Sequence, residues 1–238
     1  MAVPLGSPSR QVLLSSWQNI KKGISARDAI KKTWRVLIMA PEKEEKLATE
    51  FKIGNPAVVG LAGFAMSTFL LQVVNMGWMA VGPVVWVMLF FGGMAELIAG
   101  LLEFRTGNNF GFCIFAGFGT FWICLGFMVM LGSGPLVQAY PALEIKNGLP
   151  WFLLGYCLFA FMFLIPSFKA HTVLALIILT LSTGLLFLAI DGFAGGGTAL
   201  KVVGTLDLFG AAFLAWYLMC HVLFAEAGIN LPLGPAWL

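Results

Sequence analysis

Six apolar runs dominate the sequence, and each is long enough to cross a lipid bilayer. They cover residues 56–78, 83–102, 110–131, 150–168, 172–191 and 202–225. A run of about 19–24 residues, wound as a helix at 1.5 Å per residue, reaches across a hydrocarbon core of about 30 Å. Backbone polar groups in lipid must be paired internally, and the short alternating segments of a β-barrel are absent. The sequence therefore predicts an all-α integral membrane protein with six transmembrane helices.

The composition points the same way and limits the kinds of partner. Of the 238 residues, 60% are hydrophobic and only 11% are charged, whereas a soluble domain carries about a quarter charged residues. Ten of the fourteen Lys and Arg residues lie in residues 1–54. The basic balance therefore describes the N-terminal segment, and no basic patch on a folded domain suggests a nucleic-acid partner.

The charged and apolar regions are expected to form separate domains. Residues 1–50 are predicted to be a basic cytoplasmic segment, and residues 51–238 a six-helix membrane domain. Within the basic segment, apolar residues recur every three or four positions at Ala26, Ile30, Trp34 and Leu37. This spacing predicts an amphipathic helix on an anionic membrane surface. A poorly ordered tail with a short helix is the alternative.

The basic residues also predict an orientation. If the N-terminus is cytoplasmic, the ten N-terminal bases with Arg105 and Lys169 place twelve on the inside, against Lys146 and Lys201 outside. Such a positive-inside bias predicts a multi-pass protein of the cytoplasmic membrane with both termini in the cytoplasm.

The first helix carries its small and polar residues on one face. At 100° per residue this face holds Gly60, Phe64, Ser67, Thr68, Leu71 and Asn75. One interpretation is close helix packing through small residues. The other is the wall of a pore, in which hydroxyls and an amide offer hydrogen bonds and Phe64 acts as a plug.

The second helix carries two acids, Glu96 and Glu103. An acid inside a bilayer span marks either a transport pathway or a partnered structural site. Glu103 lies near the end of the helix, just before Arg105, where an interfacial charge is also expected. Glu96 lies about two turns deeper. It is either a protonated acid bonded to a neighbouring helix or a proton-linked group on a substrate path.

The remaining motifs argue against an enzyme and against a bound cofactor. The four cysteines lie in apolar runs and are expected to be free thiols, and no His, Cys, Asp or Glu cluster has metal-ligand spacing. Nucleotide and nucleophile-elbow motifs are absent. A mostly apolar path does not suit hydrated metal ions. It suits a short carboxylate or its acid, an amide, urea or ammonia.

Two motifs resemble the acetate uptake transporter family, the succinate-acetate permeases of microbes. "NPAVVGLAGFAMST" is similar to the family's Asn-Pro-Ala-Pro-Leu-Gly-Leu signature, with Val58 and Val59 in place of Pro and Leu. "FFGGMAELIAGLLEFRTGNNFGFCIFAGFGTFW" resembles its second and third helices. The resemblance covers residues 54–227. It implies a six-helix protomer with its own pore, assembled as a homo-hexameric ring, and proton-linked or channel-like passage of acetate and related short carboxylates.

The resemblance also implies a constriction and a path. The family's constriction falls on Phe64, Phe118 and Leu181, with Phe118 where a Tyr is usual. Glu96 stands where a neutral Gln is usual, and Glu96 and Glu103 are the possible proton-linked groups. The predicted substrate path comprises Asn55, Pro56, Gly60, Ser67, Thr68, Asn75, Asn108 and Thr120.

Asn55 and Pro56 explain how the path begins. Asn55 is predicted to cap the first helix, with Pro56 at its first position, so that the helix N-terminus faces the cytoplasmic mouth and attracts a carboxylate. The alternative function is a urea, amide or ammonia channel of similar architecture. A membrane sensor that uses its N-terminal segment is a third interpretation.

Overall fold

The computed structural model describes residues 25, 27–28, 31, 54–132 and 145–238. The chain divides into two compact units, Met1–Gly54 and Asn55–Leu238, and the fold below is that of the second. The predicted amphipathic helix falls on residues outside the described set. Across the described ranges all regular structure is helical. The helices are α1 (Ala57–Asn75), α2 (Gly82–Val87), a π-helical segment (Met88–Ala95), α3 (Glu96–Arg105), α4 (Asn109–Leu131), α5 (Leu149–Phe161), α6 (Leu164–Phe168), α7 (Thr172–Phe193) and α8 (Ala199–Glu226).

Five spans have the length and hydropathy needed to cross a membrane. They are α1, the continuous α2–π–α3 span Gly82–Arg105, α4, α7 and α8. These spans match five of the six predicted runs, so the all-α membrane fold is confirmed.

The fourth predicted run, residues 150–168, is helical but interrupted. The 13-residue α5 ends at Phe161, and α6 begins at Leu164. Pro166 has no N–H and its ring excludes the carbonyl four residues earlier, which ends a regular helix near Met162. At the break, Phe163 N–H donates to Ala160 O at 3.0 Å, an i to i−3 bond typical of a tighter turn.

The spans form a closed bundle around a central axis. Contacts run from α5 to α7, α8, α1, the second span and α4, and aromatic rings close the circle between α4 and α5. Phe118 of α4 lies 5.8 Å from both Tyr156 and Phe159 of α5, between ring centroids. Successive spans are antiparallel. We call the end where α1 and α4 begin the lower end of the bundle.

Glycines let the second span pack closely against its neighbours. A Cβ on Gly100 would lie 2.5 Å from Ala116 N of α4, and one on Gly63 of α1 would lie 2.5 Å from Phe91 O. Real Cβ atoms do not approach that closely, so any larger residue would push the helices apart. These glycines hold the π-helical segment and Glu96 between α1 and α4.

Beyond α8, the C-terminal segment returns across the lower end. Val173 N–H donates to Leu233 O at 3.1 Å, and Trp237 N–H donates to Phe168 O at 2.8 Å. The Tyr217 hydroxyl donates to Pro232 O at 2.7 Å. The segment therefore ties α6, α7 and α8 together.

Candidate functional site

Two cavities lie one above the other inside the bundle. The lower cavity has a volume of about 160 Å³ and the upper about 30 Å³. The residues that line both are Phe64, Phe118 and Leu181. The structure thus brings together the three residues predicted as the constriction, and it places them where the two cavities meet.

The three residues of the predicted constriction come from α1, α4 and α7. The rings of Phe64 and Phe118 meet edge to face, with centroids 6.1 Å apart and an interplanar angle of 77°. Phe118 is 1% exposed and Leu181 4%. These three side chains carry no hydrogen-bonding group of their own, because Phe118 lacks the hydroxyl of a tyrosine.

The lower cavity is apolar apart from two side chains. Its wall includes Ala57 at the start of α1 and Leu174 of α7, together with polar Glu96 and Asn108. Glu96 is 1% exposed, and its Oε2 has no hydrogen-bond partner among the described residues. The hydrogen bond to a neighbouring helix that one interpretation expected is thus not formed by this oxygen. Its carboxyl group remains available to a solute.

Asn108 is fixed in place by Glu103. The Asn108 amide donates to Glu103 Oε2 at 2.7 Å, and its carbonyl oxygen accepts the N–H of Gly111 at 3.0 Å, which caps α4. Glu103 is 2% exposed, and the hydroxyl of Thr106 also lies 3.4 Å from its Oε2. It is therefore a buried acid that orients Asn108.

The upper cavity contains two polar residues that sequence reasoning missed, Gln72 and Trp122. They line it together with Thr68. Gln72 Nε2 donates to Thr68 O at 3.2 Å, and Gln72 Oε1 accepts from Asn75 Nδ2 at 2.8 Å. Each missed residue lies four positions after a predicted one, Thr68 or Phe118, so a helical spacing of four would have found both.

Of the eight predicted path residues, only Thr68 and Asn108 line a cavity, and Gly60, Ser67 and Thr120 are among the six that do not. Ser67 turns to the second span, where its Oγ lies 3.4 Å from Val87 O and against Gly92. Gly60 faces Phe115, whose ring would lie 2.7 Å from an added Cβ. Thr120 is exposed and donates to a carbonyl of its own helix. These residues serve packing or face outward, because the wall of each cavity is narrower than the helical face used to predict it.

Two further path residues, Asn55 and Pro56, shape the start of α1. Asn55 Oδ1 accepts the N–H of Ala57 at 3.0 Å, but the N-cap position is Pro56 and no side chain caps the helix there, so Asn55 forms a turn one residue before the predicted cap. The helix begins at Ala57, and Pro56 occupies the position before it, one residue earlier than predicted. Since Ala57 lines the lower cavity, the helix N-terminus lies beside that cavity.

The described residues form no candidate metal site. Among the described residues, no group of three or more His, Cys, Asp or Glu side chains is placed to hold a metal ion. Cys113, Cys124, Cys157 and Cys220 are free.

Comparison with known proteins identifies the family. A model of the GPR1/FUN34/yaaH family matches residues 39–232. The chain belongs to the GPR1/FUN34/yaaH family. Within it, the succinate-acetate/proton symporter SatP of Escherichia coli (strain K12) is 34% identical over 187 residues, which cover 77% of this chain and 96% of that protein.

Two fungal members of the GPR1/FUN34/yaaH family are also similar to this chain. Acetate permease A of Emericella nidulans is 31% identical over 180 residues, and ammonia transport outward protein 2 of Saccharomyces cerevisiae is 34% identical over 171. Each match covers 70% of this chain and 60% of the relative. A solved structure, that of the bacterial acetate channel SatP, superposes with a TM-score of 0.70 at 31% identity. It covers 77% of this chain and all of the solved chain, so the resemblance seen in the motifs is confirmed.

Proposed function

We propose that this protein carries acetate and related short-chain carboxylates across the cytoplasmic membrane. The observation that supports this most directly is the arrangement of Phe64, Phe118 and Leu181, which line both cavities. A solute that passes along the bundle axis must cross this apolar point. The SatP proteins and the acetate permease among the relatives support acetate as the solute.

The size of the lower cavity suits such a solute. Its volume of about 160 Å³ is close to the engineered protein cavity of about 150 Å³ that binds benzene. Acetate is smaller than benzene. The lower cavity therefore has room for a short carboxylate and for water beside it.

Energetics favour a proton-linked passage. A bare carboxylate moved into an apolar constriction loses hydration worth at least several kcal/mol. Glu96, facing the lower cavity without a partner on Oε2, offers a proton that a substrate carboxylate can share or accept. We propose Glu96 as the proton-linked residue. Glu103 assists it by holding the side chain of Asn108 beside the same cavity. A substrate that crosses the three apolar side chains as the neutral acid can exchange its proton with Glu96 in the lower cavity.

The assembly and the orientation belong to the same proposal. The family resemblance favours a hexameric ring of protomers, each with its own path. The lipid bilayer surrounds the ring. The basic N-terminal segment and the positive-inside rule favour cytoplasmic termini, so the lower cavity opens toward the cytoplasm. The relatives are transporters or channels, and we expect no enzymatic activity.

The alternative is a channel for ammonia, urea or another amide. The yeast relatives named ammonia transport outward proteins 2 and 3 favour it. So does Glu96, because an ionised carboxylate accepts hydrogen bonds from an ammonium or amide group.

Labelled acetate uptake into proteoliposomes tests the proposal. We expect an inward proton gradient to stimulate uptake. Phe64→Ala should speed passage, since a barrier lowered by about 1.4 kcal/mol raises a rate about tenfold. Phe69→Ala is the matched control, because Phe69 lies on α1 but packs against Phe209 and Trp216 and lines neither cavity.

Competing solutes distinguish the alternatives. Uptake that excess urea and methylammonium leave unchanged supports the carboxylate path. If the folded protein carries no acetate but passes methylammonium or urea, the alternative function takes its place. If Phe64→Ala and Phe69→Ala behave alike, the constriction is not where the two cavities meet.

A further inference from the structure

The lower cavity is bordered at its lower side by the ends of four helices. Its lining residues include Ala57, Phe110 and Leu174, which lie in the first turns of α1, α4 and α7. Leu218 of α8 lines it as well, about two turns before that helix ends. Because Phe64, Phe118 and Leu181 bound the cavity above, a solute from the lower end passes between these helix ends. Their separation therefore controls how readily the cavity fills.

The start of α7 follows a break in the preceding span. That span is helical to Phe161 and again from Leu164 to Phe168, and α7 begins at Thr172. At Pro166 the regular i to i−4 bonding that keeps a helix stiff is missing. The corner formed by α6 and the first turn of α7 can therefore rotate about the break, as a hinge does.

The C-terminal segment, residues 227–238, fastens this corner at the lower end of the bundle. Leu233 O accepts the N–H of Val173 at 3.1 Å, and this N–H is one of the first-turn donors that have no partner within a helix. The indole of Trp237 stacks on the ring of Phe168, with centroids 5.2 Å apart and an interplanar angle of 29°. These contacts hold both α6 and α7.

The same segment is also fastened to α8. The Tyr217 hydroxyl donates to Pro232 O at 2.7 Å. His221 Nδ1 donates to Leu231 O at 2.6 Å, since a carbonyl oxygen only accepts. Tyr217 directly precedes Leu218 of the cavity wall. The C-terminal segment therefore bridges α7 and α8 next to the residues with which both helices line the lower cavity.

This bridge is shallow. The C-terminal segment contains no helix or strand, and only Leu231 and Leu233 are half-buried, whereas its other ten residues are exposed. Segments with few buried apolar contacts open at a low free energy. The match to the family model ends at residue 232, so the residues that reach α6 and α7 lie beyond the part that the family shares.

We propose that the C-terminal segment is a releasable strap, which holds the α6–α7 corner against α8 and so restricts entry to the lower cavity. When the segment is seated, the first turn of α7 is fixed beside α8. When it is released, the corner rotates about the break before α6 and the entrance widens. This inference rests on the proposed function, because the proposed solute uses the same entrance.

A buried cysteine inside the lower cavity measures how often the entrance opens. Ile178 lines this cavity one turn inside Leu174 and is 1% exposed, so in Ile178→Cys a charged methanethiosulfonate reagent reaches the thiol only through the entrance. The native Cys157, which is 0% exposed, is kept as a reporter of general unfolding, and the other three cysteines are replaced with alanine. Mass spectrometry of the purified full chain gives the labelling rate of each thiol.

Variants that loosen the strap should speed this labelling. Tyr217→Phe removes the bond to Pro232 and should raise the labelling rate at Ile178→Cys about two- to tenfold, the factor that one hydrogen bond contributes to an equilibrium. The rate follows the released population when release and reseating are fast. Truncation after Gly228 should raise it further. Tyr156→Phe is the matched control, because the Tyr156 hydroxyl bonds to Thr120 of α4 and not to the C-terminal segment.

Acetate uptake into proteoliposomes should rise with the labelling rate in Tyr217→Phe. Labelling that Tyr217→Phe and the truncation leave at the level of Tyr156→Phe overturns the strap. Labelling of Cys157 in step with Ile178→Cys also overturns it, because the chain then unfolds generally. Faster labelling without faster uptake, in a protein that carries acetate, shows that the segment does not restrict passage. If the strap variants speed labelling but the native protein carries no acetate, the strap stands and the transport proposal fails.

Discussion

Glu96 is the residue on which the proposed proton coupling would depend. It follows directly after the π-helical segment, it is 1% exposed, and it faces the lower cavity. A carboxylate in so apolar a wall is stable only with a proton or a cationic partner. In the described chain its Oε2 has no hydrogen-bond partner. Exchange of a proton with the substrate is therefore the simplest use for this group.

Replacing Glu96 with Gln should uncouple uptake from the proton gradient. Glutamine has nearly the same shape but cannot release or bind a proton near pH 7, so the inward gradient should no longer stimulate acetate uptake by Glu96→Gln. Uptake at pH 6 and pH 8 into proteoliposomes measures this. Glu226→Gln, at an exposed position, is the control. Full gradient stimulation of Glu96→Gln would exclude this residue as the proton-linked group.

At the same scale, Ser67 and Thr68 show the limit of inference from sequence. They are neighbours in the sequence and share the predicted polar face, but their side chains leave α1 about 100° apart. Ser67 reaches the second span and Thr68 reaches the upper cavity. The three constriction residues came from family motifs. Which hydroxyl faces a cavity depends on how tightly the glycines let the helices approach, and periodicity alone does not contain that information.

The second span shows a similar limit at the scale of one element. Hydropathy predicts a single helix over residues 83–102, and a span is present at Gly82–Arg105. Its centre is π-helical from Met88 to Ala95, where each turn holds more residues than in an α-helix. A helical wheel drawn at 100° per residue therefore assigns the residues after this segment to the wrong face. At 100° per residue Gly92, Gly93 and Glu96 would share one face, but Gly93 lies against Ile123 of α4, whereas Gly92 lies against both α1 and α4.

The start of α7 depends on the protonation of His171. The neutral His171 Nδ1 accepts the N–H of Leu174 at 3.1 Å and caps the helix. Burial and the nearby His221 lower the pKa of His171 below its usual value. The unfolded chain therefore binds a proton more readily than the folded one. The contribution of the His171 cap to the free energy of unfolding is fully present above about pH 6.5, and it is lost as the pH falls through the lowered pKa.

Substitution of His171 should change how stability depends on pH. His171→Asn keeps a capping acceptor without a titrating ring, so its unfolding temperature should fall less between pH 7.5 and 5.5 than that of the native protein. In His171→Ala the free energy of unfolding should be lower by about 0.5–2 kcal/mol at pH 7.5, because the capping acceptor is gone. Thermal unfolding in detergent at the two pH values measures both. Equal pH sensitivity of His171→Asn and the native protein would show that a group other than His171 sets it.

At the scale of the whole molecule, the bundle is closed by contacts that hydropathy does not predict. Apolar length predicted the spans, because lipid demands internally paired backbone. The C-terminal segment carries Gly and Pro and no helical period. Its position comes from bonds to distant residues, such as Thr172 Oγ1 to Pro235 O at 2.7 Å and Trp237 Nε1 to Thr172 Oγ1 at 3.1 Å. Long-range pairing of this kind is visible only in the folded chain.

Two leucines in that segment provide a test of its contribution to the stability of the bundle. Leu233 packs against the core cluster, whereas Leu238 is 71% exposed. Leu233→Ala should lower the free energy of unfolding by about 1–2 kcal/mol, less than the 2–5 for a fully buried leucine. Leu238→Ala should leave it unchanged. Denaturant or thermal unfolding of the two purified variants measures the difference. Equal stability of both variants would mean that the segment rests on the bundle without stabilising it, and a larger loss at Leu233 would show that its packing stabilises the fold.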